Sequence, residues 1–314
     1  MPVEMMKAVR IHEYGSSSVL KYEDAEVPDI ANDEMLIKAE YASVNPVDWK
    51  IREGYMKERL HLKMPSVLGI DLAGRVARFG SEVTGFSLGE RVVCRADVER
   101  GGSYAEYVAV KYGKVAKVPE GVRLADAAAL PVACGTAWSA LFESAELREG
   151  ERVLIMGASG GVGTFAVQLA KNVGAYVAAT TSSRNVDLVK SLGADQVIDY
   201  TSEDVGKSAR EMDIVLDTVG GTALSAAFST LRSGGRLVSI AANPDAKMAE
   251  ERGIIIKPVN VNTDGKRLAE LLAKVASGEL RVLTERQFSL SEVAAAHELS
   301  QSGKVRGKII IKIH

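Results

Sequence analysis

The sequence predicts an α/β protein with two domains, a doubly wound parallel sheet of six strands and a smaller, mostly β domain. Two observations carry this prediction. Before residue 120, short segments alternate in polarity with a period of two, which is typical of half-buried strands. From residue 124 onward, strand-like apolar runs alternate with helix-like segments. Strands that are separated by helices need right-handed crossovers and therefore form a parallel sheet.

The β part contains four candidate strands. In residues 35–44, Ile37, Ala39 and Tyr41 share one face, and Lys38 and Glu40 lie on the other. The same alternation is present in residues 69–79, 90–94 and 104–110, and turn residues separate the segments. These patterns predict a mostly β domain.

The α/β part contains six apolar runs, at residues 153–156, 176–180, 196–199, 214–217, 236–240 and 254–259. Helical patterns such as 164–172 and 185–192 lie between the first five runs. After them come two further helical patterns, 266–276 and 290–302, and a last strand, 308–313. We expect this tail to return to the β domain. The predicted domains are therefore 1–122 with 260–314, and 123–259.

Composition excludes several classes of protein. Of the 314 residues, 46% are hydrophobic and 25% are charged, and the formal charge of -2 argues against a nucleic-acid partner. No apolar run reaches the length of a membrane span or of a signal peptide. The two cysteines, Cys94 and Cys134, are too few for a disulfide framework or a four-thiolate metal site. These features predict a cytoplasmic protein without a membrane or nucleic-acid partner.

The strongest chemical signal is a glycine cluster between the run 153–156 and the helix 164–172. Glycine allows a tight turn and a close approach of the backbone to a pyrophosphate, and the helix N-terminus attracts the phosphate charge. The strand–loop–helix context distinguishes this loop from an ordinary turn. It predicts a dinucleotide site formed by Ser159, Gly160, Gly161, Val162 and Gly163.

The end of the second parallel strand predicts which dinucleotide binds. An NAD-specific fold carries an acid at this point for the ribose 2′-hydroxyl. Here the chain reads Thr181, Ser182, Ser183, Arg184, with no carboxylate at the strand end. Hydroxyl groups and a guanidinium suit a 2′-phosphate, which predicts NADPH. The alternative for Arg184 is a solvated residue in the first turn of the next helix.

Several motifs together resemble the zinc-independent quinone oxidoreductase branch of the medium-chain dehydrogenase/reductase superfamily. They include Asn45-Pro-Val-Asp48-Trp49-Lys50, Gly69-Ile70-Asp71, Leu130-Pro-Val-Ala-Cys-Gly-Thr136 and Gly303-Lys-Val-Arg306-Gly307-Lys308. The resemblance covers essentially the whole chain. It implies a Rossmann sheet together with a GroES-like catalytic domain. Zinc-dependent relatives would carry cysteine at position 45 and histidine at position 70, so the resemblance implies no metal.

The resemblance also implies roles for individual residues. Lys50 would stabilise a developing enolate or contact the cofactor ribose, and Asn45 would orient the substrate or the nicotinamide. The alternative for Lys50 is an ordinary surface lysine, and Asp48 either anchors this loop or acts as a base. Further cofactor contacts would come from Thr136, Tyr200, Ile240, Ala241, Arg306 and Lys308. For Arg306 and Lys308 the alternative is an exposed turn before a strand.

The predicted reaction is hydride transfer from NADPH to a quinone or an α,β-unsaturated carbonyl compound, without a metal. Such acceptors are already electrophilic, so that the protein has to supply alignment and a donor for the developing oxyanion. Three alternatives stay open: reduction of an enoyl thioester, reduction of a haloacrylate, and a non-catalytic NADPH-binding role. The apolar run 254–259 predicts a sheet edge that a second copy covers, and hence a homodimer.

Overall fold

The protein, in a computed structural model, is described over residues 4–314, and these form two compact units. The first unit comprises residues 4–135, 263–278 and 282–314, and the second comprises residues 136–262 and 279–281. Residues 1–3, which the prediction assigns to the first domain, lie outside the described part. The domain boundaries predicted at residues 122 and 260 stay predictions.

The strands, in chain order, are β1 (Met5–Ile11), β2 (Lys21–Glu26), β3 (Glu34–Val44), β4 (Ser66–Val67), β5 (Asp71–Phe79), β6 (Arg91–Arg95), β7 (Tyr107–Lys111), β8 (Val115–Lys117), β9 (Arg152–Met156), β10 (Tyr176–Thr181), β11 (Gln196–Asp199), β12 (Met212–Asp217), β13 (Leu231–Ser239), β14 (Ile255–Ile256), β15 (Thr284–Ser289) and β16 (Lys308–Lys312). The helices are α1 (Pro46–Arg52), α2 (Leu124–Ala127), α3 (Ala133–Trp138), α4 (Gly161–Asn172), α5 (Val186–Ser191), α6 (Val205–Ser208), α7 (Gly221–Thr230), α8 (Ala246–Glu251), α9 (Gly265–Ala276) and α10 (Val293–Gln301). A π-helical turn, Ser139–Ser144, continues α3.

The first unit is built on two sheets. The smaller has the order β2-β1-β4, and the larger has the order β15-β16-β3-β5-β6-β8, with β7 also paired to β3. The last strand, β16, pairs antiparallel with β3, so that Ile309 lies opposite Val44. Alternate residues of these strands point into two buried apolar clusters, as the period of two requires. The larger sheet positions the loop that follows β3.

One predicted strand of this unit begins later than the polarity pattern indicates. The polarity pattern predicts a strand at 104–110, and the observed strand β7 is Tyr107–Lys111. The preceding residues pair with β1 instead, because the N–H of Val9 donates to the carbonyl of Tyr104 at 2.8 Å and the N–H of Glu106 donates to that of Lys7 at 3.0 Å. The segment thus changes partner from β1 to β3, which polarity alternation does not reveal.

The second unit contains a six-stranded parallel sheet with the order β11-β10-β9-β12-β13-β14. This confirms the predicted doubly wound sheet. The strand order reverses between β9 and β12, and ligands of such sheets bind at the carboxyl ends of the strands beside that reversal. The central strands are buried on both faces, with Leu154, Ala178, Val215 and Leu237 in one apolar cluster.

The sixth strand of this sheet is shorter than the prediction. The apolar run 254–259 predicts six residues, and β14 has two, Ile255–Ile256. The N–H of Lys257 still donates to the carbonyl of Leu237 at 2.9 Å, but Pro258 has no N–H with which to continue the ladder. Ile255 remains 48% exposed at this edge.

The longest helices in residues 4–314 are α4 and α9, with 12 residues each. Gly160 precedes α4 in an extended conformation, and the side chain of Asp264 caps α9 by accepting from the N–H of Arg267 at 2.9 Å. In this described part of the chain, no helix combines the length and the apolar composition that crossing a bilayer demands.

Candidate functional site

The glycine loop between β9 and α4 is shaped by close packing at two of its glycines. Gly157 adopts a left-handed φ of +76°. A Cβ at Gly163 would lie 2.3 Å from the carbonyl oxygen of Gly157 and 2.7 Å from Cα of Ala158. At Gly160 the nearest atom to a Cβ would be that same oxygen, at 3.4 Å. Packing therefore requires glycine at position 163 and tolerates a methyl group at position 160.

A second loop, which follows β12, packs against the glycine loop at the reversal of strand order. The hydroxyl of Thr218 donates to the carbonyl of Met156 at 2.7 Å, and a Cβ at Gly157 would lie 2.5 Å from that hydroxyl. The buried carboxylate of Asp217 accepts from the N–H groups of Val219 and Gly220, both at 2.9 Å. Backbone and buried carboxylate thus rigidify the edge of the sheet where ligands bind in this topology.

The end of β13 joins the same edge. The N–H of Ile240 donates to the carbonyl of Asp217 at 3.0 Å, and the N–H of Ala241 lies 3.3 Å from the hydroxyl of Ser239. That hydroxyl donates in turn to the carboxylate of Asp217 at 2.7 Å. The structure therefore places Ile240 and Ala241 next to the loop that follows β12.

Hydroxyl-bearing residues meet at the end of β10. The side-chain N–H of Asn185 reaches the hydroxyls of Ser159 at 3.1 Å and Ser182 at 3.3 Å. The hydroxyl of Thr181 is buried and has no hydrogen-bond partner within residues 4–314. No sequence motif points to Asn185, although it directly follows the predicted Arg184. It joins the glycine loop to the end of the second parallel strand.

A carboxylate that no sequence motif indicates also lies at the end of β10. Asp199, the last residue of β11, accepts from the hydroxyl of Ser183 at 2.5 Å and from the hydroxyl of Thr201 at 2.6 Å. These hydrogen bonds lower the pKa of Asp199 to about 2. The NAD-specific pattern places an acid only at the end of β10, whereas neighbouring parallel strands bring their carboxyl ends to the same edge of the sheet. Tyr200 follows and is 58% exposed.

The first unit contains a second cluster, which we call the buried polar network: Ser43, Asn45, Asp48, Arg52, Asp71, Tyr104, His297 and Lys308. Asn45 caps α1, where its N–H donates to the carboxylate of Asp48 at 2.7 Å. Its amide group donates to Asp71 at 2.8 Å and accepts from Lys308 at 2.5 Å. Asn45 is only 2% exposed. Its amide orientation is therefore fixed from both ends.

Lys308 is the cation of the network. It is 3% exposed, and its ammonium donates to the carbonyl of Val44 at 3.2 Å, to Asn45, and to the carboxylate of Asp71 at 3.4 Å. Burial lowers the pKa of Lys308, and the charge of Asp71 opposes this shift. The Asp71 carboxylate also accepts from the hydroxyl of Ser43 at 2.6 Å and from the N–H of Val132 at 2.9 Å. The buried charges are thus paired and hydrogen-bonded.

A second branch of the network leads away from Asp48. The hydroxyl of Tyr104 donates to Asp48 at 3.0 Å, His297 Nε2 lies 3.2 Å from that hydroxyl, and the guanidinium of Arg52 lies 3.4 Å from His297 Nδ1. Burial, helped by the negative charge of Asp71, raises the pKa of Asp48 to about 7. Burial, helped by the positive charge of Arg52, lowers the pKa of His297 to about 3. Asp48 anchors the loop before α1, one of the two roles considered for it.

Comparison with known proteins identifies the family. The Alcohol dehydrogenase GroES-like domain matches residues 31–120, and Zinc-binding dehydrogenase matches residues 192–311. A solved quinone oxidoreductase from Coxiella burnetii is 35% identical with a TM-score of 0.91, covering 99% of this chain and 100% of that one. A chloroplastic quinone-oxidoreductase homolog of Spinacia oleracea is 34% identical over 330 residues, 99% of this chain and 100% of the relative. The 2-methylene-furan-3-one reductase of Solanum lycopersicum is 36% identical over 322 residues, 98% of this chain and 79% of the relative.

The chain belongs to the quinone oxidoreductase branch of the medium-chain dehydrogenase/reductase superfamily. This confirms the resemblance seen in the sequence and the predicted combination of a Rossmann sheet with a GroES-like domain. The protein is therefore an oxidoreductase that uses a nicotinamide cofactor. The predicted cytoplasmic location stays a prediction.

One matching family is described as zinc-binding, but the polar side chains of this quinone oxidoreductase are committed to other partners. Asn45 and Asp71 direct their side-chain oxygens at the ammonium of Lys308, which already supplies the positive charge between them. Burial raises the pKa of the thiols of Cys94 and Cys134, which opposes the thiolate form that zinc requires. In residues 4–314, no group of three or more His, Cys, Asp or Glu side chains is placed to hold a metal. The donor set does not fit a zinc ion.

The fit to a nicotinamide dinucleotide is better. A glycine cradle precedes the 12-residue helix α4, whose first N–H groups suit a pyrophosphate. The buried hydroxyl of Thr181 lacks a partner within the described residues and lies at the end of the neighbouring strand. The second unit therefore offers both the backbone donors and an unsatisfied polar group of a nucleotide site.

Three further predicted site residues, Lys50, Arg306 and Thr136, lie outside both the glycine loop and the buried polar network. The ammonium of Lys50, on α1, is 5.7 Å from the ring centre of Trp49. Arg306 pairs with the carboxylate of Glu285 at 3.0 Å. Thr136 is 7% exposed, within α3. The structure thus brings Asn45 and Lys308 together but places Lys50 against an aromatic ring.

Proposed function

We propose that this protein transfers a hydride from NADPH to a quinone or to an α,β-unsaturated carbonyl compound, without a metal ion. One observation carries the proposal: the glycine loop lies at the strand-order reversal, next to a strand end that presents hydroxyls and Arg184. The family supplies the reaction class. The enone part of the proposal is supported by the similarity to a 2-methylene-furan-3-one reductase.

The second unit would hold the cofactor. The pyrophosphate would be bound by the hydroxyl of Ser159 and by backbone N–H groups at the start of α4. These N–H groups belong to Gly160, Gly161, Val162 and Gly163. The 2′-phosphate would lie among Thr181, Ser182, Ser183, Arg184 and Tyr200. Ile240, Ala241 and Thr136 would approach the nicotinamide. When bound, the cofactor supplies the hydride.

The first unit would supply the remaining chemistry. Lys50 would donate to the oxygen that gains charge as the substrate accepts the hydride, and such a donor is worth about 3 kcal/mol in known oxyanion sites. Asn45, held by Lys308 and Asp71, would present a fixed amide dipole. Because the ammonium of Lys308 already neutralises the buried carboxylate, the site needs no metal for charge balance. Arg306 stays a candidate cofactor contact.

The test is a turnover assay over a panel of simple quinones and enones, with NADPH or NADH, and with a chelator or added zinc. We expect NADPH to be preferred and the rate to be insensitive to chelator and zinc. A strict requirement for a divalent metal, or equal use of NADH, would overturn the corresponding part of the proposal. Lys50→Ala should lower kcat, whereas Lys57→Ala, at an exposed lysine of the same region, should not.

We also propose that the protein is a homodimer in solution. The edge strand β14 leaves Ile255 48% exposed, and a symmetry mate that pairs with this edge would cover it. Light scattering should give twice the chain mass. A monomer mass at micromolar concentration would refute this part.

A further inference from the structure

The carboxylate of Asp199 is unexpected at a place where a phosphate is proposed to bind. It accepts from the hydroxyl of Ser183 at 2.5 Å, from the hydroxyl of Thr201 at 2.6 Å and from the N–H of Thr201 at 3.0 Å. Ser183 follows β10 and Thr201 follows β11. The carboxylate therefore ties together the two strand ends at which the 2′-phosphate is proposed to bind.

The contact with Ser183 has a chemical cost for phosphate binding. A serine hydroxyl carries one proton, so it donates to one acceptor at a time. While that proton is given to Asp199, Ser183 presents only lone pairs to a second acceptor. A phosphate is also an acceptor, so it has to displace the carboxylate from Ser183 before it gains this hydrogen bond.

Charge acts in the same direction. Because its hydrogen bonds hold the pKa of Asp199 at about 2, the group carries a full negative charge at neutral pH. A 2′-phosphate is itself negative, and like charges a few ångströms apart repel even at a solvated surface. A ribose 2′-hydroxyl carries no charge and meets no such repulsion.

We propose that Asp199 is a specificity-determining residue of the cofactor site, which weakens binding of the 2′-phosphate by holding Ser183 and by charge repulsion. This inference rests on the proposed nicotinamide site. It means that the preference for NADPH over NADH is smaller than the hydroxyls and Arg184 alone would produce. The residue acts on the adenosine end of the cofactor and leaves the reacting end unaffected.

The test is Asp199→Asn, measured by calorimetry with 2′,5′-ADP and with 5′-AMP as probes. An asparagine amide retains the acceptor for Thr201 and donates to Ser183, which frees the serine proton from the carboxylate, so that the phosphate competes for it only with the uncharged hydroxyl of Thr201, 2.9 Å away. We expect the dissociation constant of 2′,5′-ADP to fall by about three- to tenfold, as one removed unit charge implies in a solvated site. That of 5′-AMP should not change. In turnover, kcat/KM should rise for NADPH and stay constant for NADH.

Glu203→Gln is the matched control. It removes the same charge four residues away, and its amide oxygen retains the hydrogen bond from the N–H of Asp199, which is 3.0 Å in the native protein. Selective tightening of 2′,5′-ADP by Asp199→Asn, and not by Glu203→Gln, supports the inference. Equal tightening by both variants means a general charge effect and overturns it.

Two further variants separate the contributions. Ser183→Ala should weaken 2′,5′-ADP more in the Asp199→Asn background than in the native chain, because only there is the hydroxyl free to donate. If the asparagine variant fails to fold, Asp199→Ser takes its place. It removes the same charge and should also tighten the binding of 2′,5′-ADP. Unchanged or weaker binding in folded variants overturns the inference, whereas failure of the native protein to bind 2′,5′-ADP or NADPH would overturn the proposed function itself.

Discussion

The glycine loop of the second unit and the buried polar network of the first unit are built in opposite ways. The loop occupies seven consecutive residues, 157–163, and its shape follows from backbone sterics within that segment. The network draws its side chains from positions between 43 and 308, and its hydrogen bonds span up to 264 residues of sequence. The first is a local device, and the second exists only once the larger sheet of that unit has formed.

This difference explains what each region tolerates. In the loop, the limiting quantity is space, since a single methyl group at Gly163 would collide with backbone atoms. In the network, it is charge, since one ammonium and one carboxylate are almost fully removed from water. Removing one member of such a pair leaves an uncompensated buried charge.

The largest effect is expected from Lys308→Met. The substitution leaves Asp71 buried without its cation, and breaking a buried ion pair in this way typically costs about 3–5 kcal/mol of unfolding free energy. Urea unfolding at neutral pH measures the loss.

The double variant Asp71→Asn with Lys308→Met is the control, because it removes both charges together. It should recover a substantial part of the stability that the single variant loses. A single variant within about 1 kcal/mol of the native protein would show that Asp71 is neutral or hydrated there.

Much of the second unit was predictable because its signals are local. Four of its strands lie at or close to the predicted positions, a fifth, β13, begins at Leu231 instead of the predicted residue 236, and the glycine loop lies where the strand–helix pattern indicates. The predicted length of β14 was wrong because Pro258 ends the strand, although the apolar pattern continues past it. Asp199 was missed because it reaches Ser183 across two strands, and only the strand order makes them neighbours.

The buried polar network was largely unpredictable because its contacts join residues that are far apart in the sequence. Asn45 and Lys308 belong to separate motifs, and the motif of Lys308 predicts a cofactor contact. Nothing in the sequence pairs them, because their contact depends on β16 lying beside β3. His297 carried no signal either, since a single histidine on an apolar helix face reveals its partners only in the folded chain.

The next effect concerns two of the glycines of the loop, Gly163 and Gly160. Gly163→Ala should destabilise the protein by about 1–3 kcal/mol, as overpacking typically does, because its Cβ would lie 2.3 Å from a backbone oxygen. Gly160→Ala makes an ordinary contact at 3.4 Å and should leave stability nearly unchanged.

Nucleotide affinity should distinguish these two variants from the native protein, whereas stability distinguishes them from each other. Both variants should bind NADPH more weakly, Gly163→Ala through a distorted loop and Gly160→Ala through a methyl group facing the pyrophosphate. Thermal unfolding and calorimetry measure the two properties separately. Native affinity in Gly160→Ala would mean that the pyrophosphate does not approach this residue.

The pH dependence of stability tests the second branch of the network. Between pH 3.8 and 6.5, the folded protein holds a proton on Asp48 that the unfolded chain has lost, and the unfolded chain holds a proton on His297 that the folded protein lacks. The two proton differences are equal and opposite. Together they add almost no slope to the unfolding free energy in this range.

Single substitutions should make each of the two opposing pH dependences of the unfolding free energy measurable. In Asp48→Asn only the histidine effect remains, so stability relative to the native protein should rise with pH by about 1.4 kcal/mol per pH unit. In His297→Gln only the carboxyl effect remains, and relative stability should fall with pH by a similar amount. Urea unfolding at several pH values between 4 and 6.5 measures both. Parallel profiles for all three proteins would contradict the assigned protonation states.

The smallest effect is expected from Arg306→Gln, and it decides between two roles. The sequence motif suggests a cofactor contact, whereas the structure pairs Arg306 with Glu285 at a partly exposed site, 3.0 Å apart. Such a pair contributes about 0–1 kcal/mol to stability. If this pairing is the whole role of Arg306, the dissociation constant of NADPH should stay within about threefold of the native value, a change of under about 0.7 kcal/mol. Calorimetry with NADPH distinguishes the two roles, because a direct phosphate contact by a guanidinium would weaken binding by far more than threefold once removed.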